Sequence, residues 1–261
     1  YLGVSNQSML TATLQGLSDR YDLANKSVGE VAGGAVMKHS ADFNLVRESL
    51  LGTDLSPGTP CMDIQQACGT GLAAVGVIAN KIAMGQIESG IACGTDTTSD
   101  APIGIAEDMR QVLIRVNAAK TGKQRMQALL KLRPWHLGIK IPQNAEPRTG
   151  LSMGGHTEIT AKAWQVPRED QDRLAAASHK NLAAAYERGF FDDLVSEFQG
   201  LKQDNTLRPD TSYEKLASLG PAFDRESGEG TLTAGNSSTL SDGASCVLLA
   251  SEERAKEQGL P

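Results

Sequence analysis

The residue whose type and setting most directly offer chemistry is Cys68, in Gln65-Gln66-Ala67-Cys68-Gly69-Thr70-Gly71-Leu72. After it Leu72, Val75, Ile78, Ala79 and Ile82 recur at helical spacing until Gly85, so a helix begins within a residue or two of the cysteine. The unpaired N–H groups and positive dipole end of a helix N-terminus favour thiolate over thiol, and the thiolate is the nucleophile. Gly69 and Gly71 allow a carbonyl to approach the backbone closely, and the same amides could hold an oxyanion when a thioester is attacked. For a cysteine taken alone, the commoner arrangement is a small buried residue ahead of a core helix. The rest of the chain must decide between the two.

The other three cysteines, Cys61, Cys93 and Cys246, form no CxxC pair with each other or with Cys68, and no secretory signal sequence precedes them. A disulfide framework, a zinc site or any other metal site is therefore not expected, and a reducing, cytoplasmic setting is. A net charge of −6 argues against general nucleic-acid binding, and no apolar run approaches the roughly 20 residues a membrane-spanning helix needs. With 261 residues, many glycines and few aromatics, the composition suits tightly packed α/β layers.

The elements that would position Cys68 are as follows. Met9, Leu10, Leu14, Leu17 and Tyr21 predict a first helix, Val31 to Met37 a strand, Ala41 to Leu51 a second helix, and Met62 to Gln66 a strand. With the helix after Cys68 and a strand over Gly90–Asp96, this makes a βαβ unit and implies a parallel sheet. From Asp100 to Arg148 the character changes, with nine Lys and Arg against four Asp and Glu. Val112, Leu113, Val116, Met126, Leu129, Leu130 and Leu132 give parts of it an amphipathic pattern. Such a segment suits anionic phosphates, a membrane surface, a partner, or simply a solvated basic face. Further on, a helix is expected from about Thr157 to Trp164, and Pro167 opens a long one that Gly189 ends. Leu174, Ser178, Leu182 and Ala185 form the long helix's expected inner stripe, leaving His179 to surface or local packing. Thr231–Thr233 reads as a strand, Ala234-Gly235-Asn236-Ser237-Ser238 as a sharp loop and Ala244–Ala250 as a second strand; Ser251 caps a last helix.

Four separated motifs, in order, resemble the thiolase family. Gln66-Ala67-Cys68-Gly69-Thr70-Gly71-Leu72, with the strand ending Gly94-Thr95-Asp96, resembles its acyl-cysteine motif. Gly150-Leu151-Ser152-Met153-Gly154 resembles its Met-Gly loop, and Arg168-Glu169-Asp170-Gln171-Asp172 its Arg-Glu-x-Gln-Asp helix start. Thr233-Ala234-Gly235-Asn236-Ser237-Ser238 followed by Asp242-Gly243-Ala244 resembles its Thr-Ala-Gly-Asn-x-Ser signature. Val116–Lys120 and Asn205–Pro209 look most like the bacterial acetyl-CoA acetyltransferase and 3-ketoacyl-CoA thiolase branch related to trifunctional-complex β-subunits.

The resemblance implies an α/β fold: the layered αβα half of an αβαβα sandwich, with a mixed five-stranded sheet and an inserted loop domain. Residues 1–99 and 219–261 would form the N-terminal core half, with its first strand missing, and 100–218 the basic insertion facing coenzyme A phosphates. It implies that Cys68 is acylated by an acyl-CoA, with condensation to, or thiolytic cleavage of, a 3-ketoacyl-CoA. Ser152 and Met153 would line the thioester and pantetheine passage, and Ala234, Ser237 and Ser238 the pantetheine arm. Cys93 stands where the family usually has glycine and is read as packing. Coenzyme A thioesters, acetyl-CoA among them, enter as substrates rather than as a permanently bound cofactor. A homodimer or tetramer and a β-oxidation complex partner are also implied. The family's second half carries a Gly-His-Pro histidine and a second cysteine in Cys-x-Gly, and neither motif occurs here. The isolated chain is therefore expected to turn over little or not at all. Three other readings remain: a non-catalytic acyl-CoA- or lipid-binding module, a ketoacyl-carrier-protein synthase, opposed by the Thr-Ala-Gly-Asn-x-Ser loop, and a redox-sensing Cys68, opposed by the lack of an evident resolving cysteine.

Overall fold

A computed structural model describes residues 1–259. In chain order the elements are α1 (Asn6–Tyr21), β1 (Glu30–Gly33), α2 (Leu45–Leu51), β2 (Cys61–Asp63), α3 (Thr70–Ala83) and β3 (Ser89–Asp96). A second group follows: β4 (Gly104–Ile105), α4 (Glu107–Ala118), α5 (Gly122–Leu129), a 3-10 turn at Pro134–His136, β5 (Ile139–Lys140), α6 (Met153–Ala163), α7 (Arg168–Glu187) and α8 (Tyr213–Ala217). The chain then returns as β6 (Gly243–Ala250) and α9 (Glu252–Gln258).

The main sheet is mixed, in the order β2-β1-β3-β6, with β1 parallel to both neighbours and β6 antiparallel along all of β3. The family resemblance implied five strands; the described residues supply four to this sheet. Every residue of β1 is buried, as a strand covered on both faces requires. One face meets α1 and α2 through Leu10, Leu14, Leu45, Val46, Leu50 and Ile91. The other meets α3, where Ala74 and Ile78 pack on Ala32 and Ala92. These layers are the αβα arrangement expected. Cys93 is buried against Gly33, where an added Cβ would lie 2.4 Å from the sulfur, and its Sγ donates to the Ala32 carbonyl at 3.4 Å.

Several elements depart from the periodicity. The strand read as Val31–Met37 stops at Gly33, because the Val36 and Met37 amides donate to the Asp96 carboxylate at 2.8 and 3.0 Å instead of to a strand. The strand read as Met62–Gln66 runs Cys61–Asp63, and α2 starts at Leu45 after a bend that Asp42 holds by accepting from the His39 amide at 2.8 Å. Helix α6 starts at Met153, earlier than Thr157, because the Ser152 hydroxyl caps it by accepting from the Gly155 amide at 3.1 Å. Thr231–Thr233 is no strand: its backbone answers to a side chain, as described below. Gly85 and Gly189 end their helices at φ +67° and +71°, where glycine carries no Cβ penalty.

Candidate active site

Cys68 sits on an elbow between β2 and α3. The Ile64 amide donates to the Gly33 carbonyl at 2.7 Å, the last parallel contact before the chain turns. Ala67 then adopts φ +44°, left-handed for a residue with a Cβ, at a cost of about 1–2 kcal/mol. Thr70 holds that turn from both sides. Its hydroxyl donates to the Ala67 carbonyl at 2.7 Å and accepts from the Gln66 amide at 2.9 Å. Helix α3 begins there, with Gly69 at the N-cap and no side-chain cap, so Cys68 lies just ahead of the positive end of the helix.

The exposed Cys68 faces a cavity of 510 Å³ at the ends of the strands. Its walls are Gly34–Val36 after β1, Gly94–Asp96 closing β3 and Gly243–Ser245 opening β6. Gly71 leaves the cavity open, since a Cβ there would meet no atom within 4 Å. Gly34 is constrained differently: its Cβ would lie 2.2 Å from the Ile64 carbonyl oxygen, so only glycine allows β1 and β2 to close at that end. Asp96 fixes one wall through the Val36 and Met37 amides. Asp242 ties the start of β6 to the end of β3, accepting from the Thr98 and Ser99 amides at 2.7 and 3.1 Å and from the Thr97 and Ser99 hydroxyls. Burial would raise Asp242, but these donors outweigh it and hold its pKa at about 2.

The other thiols are placed for inertness. Burial pushes the Cys93 thiol well up and Cys246 up to about 11, and it also raises Cys61 despite the nearby Arg47.

A second, larger cleft of 920 Å³ lies between α7, the 204–211 loop and the loop after Thr233. Ala234, Ser237 and Ser238 come together there, with Arg208 and His179 opposite. His179 Nδ1 accepts from the Arg208 amide at 3.2 Å, a local contact as the sequence suggested. Leu174, Ser178 and Leu182, expected as the inner stripe of α7, face this open cleft, and Leu174 is 74% exposed.

Two buried carboxylates hold the Thr233 loop. Glu158 of α6 accepts from the Thr231 and Leu232 amides, both at 2.9 Å, so this segment's N–H groups are satisfied without a neighbouring strand. Asp172 of α7 is fully buried, receiving Arg168 Nε at 2.7 Å and Asn236 Nδ2 at 2.9 Å. Asn236 Oδ1 in turn accepts from the Thr233 amide at 2.7 Å. The Arg-Glu-x-Gln-Asp and Thr-Ala-Gly-Asn-x-Ser motifs are thus two halves of one clamp.

The sequence-selected residues therefore fall in three places. Cys68 lines the strand-end cavity; Ala234, Ser237 and Ser238 line the α7 cleft. Ser152 and Met153 line neither, Ser152 serving as the α6 cap and Met153 being exposed. Gly154 makes room for Phe223, whose ring would lie 2.1 Å from an added Cβ. None of the basic residues of 100–148 lines either cavity. Sequence reasoning missed Thr70, Asp96 and Arg208. The Thr-x-Gly step after Cys68 is a usable signal for Thr70; Asp96 and Arg208 lie in the family-like stretches Gly94–Asp96 and Asn205–Pro209, which give them no role without the fold.

Residues 3–253 match the family described as Thiolase, N-terminal domain. The chain belongs to the thiolase family. It is 40% identical over 233 residues to the 3-ketoacyl-CoA thiolase of Pectobacterium carotovorum subsp. carotovorum (strain PC1), a match covering 87% of this chain and 53% of that protein. It is 35% identical to the 3-ketoacyl-CoA thiolase of Yersinia enterocolitica serotype O:8 / biotype 1B, over 100% of this chain and 61% of that one. The chain thus spans about half the length of these thiolases. Among solved structures, the Bacillus anthracis acetyl-CoA acetyltransferase superposes with a TM-score of 0.77 at 27% identity, covering 99% of this chain and 62% of that one. Human mitochondrial 3-ketoacyl-CoA thiolase in complex with CoA superposes with a TM-score of 0.79 at 23% identity, over 100% of this chain and 62% of the other, a likeness of fold. Among the described residues no helix is long and apolar enough to cross a membrane.

Proposed function

We propose that this thiolase chain carries the nucleophile of an acyl-CoA C-acyltransferase and that Cys68 is the residue acylated. The observation that carries the reading is the exposed Cys68 thiol on a strained elbow at the N-terminus of α3, facing the glycine-walled cavity. In the thiolytic direction, Sγ attacks C3 of a 3-ketoacyl-CoA. The C2–C3 bond breaks, acetyl-CoA leaves as its enolate and takes up a proton, and the acyl group stays on sulfur. The thiolate of a second coenzyme A then attacks the acyl-cysteine and restores Cys68. Condensation is the reverse. The covalent intermediate divides one carbon–carbon step into two transfers. Backbone amides around Gly69 to Gly71 are the candidates to stabilise each tetrahedral oxyanion.

The α7 cleft suits the coenzyme A arm, with Ala234, Ser237 and Ser238 on one wall and the Arg208 cation on the other. Ser152 and Met153 are the proposed contacts of the thioester and pantetheine passage, resting on the motif alone, since neither lines the two cavities. We assign residues 1–99 and 219–261 to the core half and 100–218 to the inserted part. No histidine lines the Cys68 cavity, so acylation by this chain is expected to be slow. General acid–base groups typically contribute about 10²–10⁴-fold. A homodimer or tetramer, a β-oxidation complex partner and a cytoplasmic setting belong to the same reading.

The test is intact-protein mass spectrometry after prolonged incubation with acetyl-CoA. One acetyl group per chain, mapped to Cys68 and lost in Cys68→Ala, is the expected result. Tight acetyl-CoA binding with no adduct and no change in Cys68→Ala, both for this chain and for a protein that also carries the family's second half, would instead identify a non-catalytic acyl-CoA-binding module.

A further inference from the structure

Cys68 is the middle residue of a turn over residues 66–70 that one side chain pins at both ends. The Thr70 hydroxyl gives its proton to the Ala67 carbonyl at 2.7 Å and accepts from the Gln66 amide at 2.9 Å, so residues 66, 67 and 70 meet at a single oxygen. Among the described residues the Gln66 amide has no other acceptor. Two backbone bonds also cross the turn, from the Gly69 amide to the Gln66 carbonyl at 3.0 Å and from the Thr70 amide to the Ala67 carbonyl at 3.1 Å. They close the turn but leave the Gln66 amide unengaged, beside an Ala67 whose φ of +44° is left-handed for a residue with a Cβ. Thr70 is 4% exposed, and its γ-methyl lies 3.2 Å from where a Cβ on Gly34 would stand. Its side chain is therefore held by the end of β1 as well as by the two bonds.

We propose that Thr70 is a positioning residue for Cys68, holding the strained turn that presents the thiol to the cavity at the positive end of α3. For its bearing on the reaction the inference rests on Cys68 being the acylated nucleophile; for its bearing on the thiol it rests on the turn alone. A left-handed residue with a Cβ relaxes unless its surroundings over-determine it, and the Thr70 hydroxyl bonds to the chain on both sides of that strain. Relaxation at Ala67 swings the next residue, Cys68, away from the helix end. A thiol so displaced loses the field of the unpaired amides, which falls off within the first turn. It also loses its line of attack on a bound carbonyl, to which rates are steeply sensitive. The hydroxyl is not itself an acid or base for the reaction: its only proton is given to Ala67 and its oxygen is engaged by Gln66. Its part is geometric.

The test compares Thr70→Val, which keeps the shape and removes the hydroxyl, with Thr70→Ser, which keeps the hydroxyl and removes the methyl, each checked for fold by far-ultraviolet circular dichroism. Two rates are read. In alkylation by iodoacetamide the Cys68 sulfur displaces iodide; in acetylation by acetyl-CoA it takes the acetyl group and coenzyme A leaves as its thiol. With Thr70→Val, alkylation should slow about threefold as the helix end is lost. Acetylation at saturating acetyl-CoA should slow about tenfold, for the loss of two hydrogen bonds, with the half-saturating concentration unchanged. Thr70→Ser should react within about twofold of the parent, whatever its melting temperature, because both bonds remain. Ala67→Gly in the Thr70→Val background should recover most of the loss, since glycine takes a positive φ without strain. Thr70→Val as fast as the parent in both reactions overturns the proposal. So does Thr70→Ser as slow as Thr70→Val, which would assign the effect to packing against Gly34, and so does a double variant no faster than Thr70→Val. A series alkylated in the expected pattern but with a parent that is never acetylated would strike the acyl-transfer reading and leave the positioning of the thiol standing.

Discussion

Replacing Asp172 with Asn tests whether the shared motifs form a clamp rather than a direct ligand contact. Each carboxylate oxygen accepts a different donor, Arg168 Nε at 2.7 Å and Asn236 Nδ2 at 2.9 Å, in a fully buried position. An amide has one acceptor. Whichever way it is turned, its NH2 group meets either the Arg168 guanidinium or the Asn236 amide, donor against donor. The substitution therefore removes one charge-assisted bond, weakens the other and leaves Arg168 without its counter-ion. Hydrogen bonds to charged groups contribute about 1.5–3 kcal/mol each, and removing one partner of a buried ion pair typically costs about 3–5 kcal/mol. Arg168 keeps the Leu216 and Leu219 carbonyls at 2.8 and 2.9 Å and is partly exposed, so the lower end applies, about 3 kcal/mol. Urea unfolding measures the total, and hydrogen exchange at Thr233 and Gly235 locates it. If the clamp is real, Asn236→Ala combined with Asp172→Asn costs clearly less than the sum of the two single changes, because they share one contact. A loss below about 1 kcal/mol, or unchanged exchange around Thr233, would refute the clamp.

Four further outcomes are expected. Iodoacetamide at mildly alkaline pH should label one thiol per chain, at Cys68, since Cys246 with a pKa of about 11 is about 0.1% thiolate at pH 8. Peptide mapping that finds Cys61, Cys93 or Cys246 labelled first would contradict the burial argument. Gly71→Ala should fold normally and gain about 0.5–1 kcal/mol in thermal stability as a helix residue, yet slow Cys68 acylation by narrowing the cavity. Gly34→Ala should destabilise by more than about 2 kcal/mol, because its Cβ meets the Ile64 carbonyl and backbone must shift. An unchanged melting temperature would be the contrary result. Asp242, whose pKa is depressed to about 2, adds stability that is complete above the unfolded-state value near 4 and is lost as pH falls toward 2. Asp242→Asn should lower neutral-pH stability by up to about 2 kcal/mol and flatten the acid limb, whereas an acid limb of undiminished slope would assign that loss to other carboxylates.

What the sequence revealed follows from how local each cause is. Helices α1 and α7 were legible because their caps and apolar spacing lie within their own residues, and so was Cys68 at the start of α3. Periodicity marks apolar faces without saying which are covered: Leu72 was counted with the α3 core but is 78% exposed, while Thr70 and Ala74 are buried. The expected α7 stripe divides in the same way: Ala185 is buried, whereas Leu174, Ser178 and Leu182 face the open cleft. Thr231–Thr233 has strand-like residues, yet the Thr231 and Leu232 amides donate to oxygens of Glu158, more than 70 residues away, which no local pattern reveals. Strand ends were misjudged where Asp96 took amides that a longer β1 would have used. The motifs pointed to the right family, but several of their members turn out to position backbone: Asp172, Asn236 and Ser152 all bind amides or one another.

The antiparallel pairing of β3 with β6 has a consequence for how the chain reaches this structure. The strands meet from Ser89–Ala250 to Asp96–Gly243, closing a loop of about 146 residues at its shortest. Loop-closure entropy grows only slowly with length, so the contact is thermodynamically cheap once made, but it is late. At about 5–20 residues per second, a ribosome takes roughly 7–30 s to make the intervening chain. Throughout that interval β3 presents an open hydrogen-bonding edge, and α1, which packs on β6 as well as on β3, lacks part of its cover. The period of greatest exposure to mispairing during synthesis is therefore set by the length of the segment between the two strands.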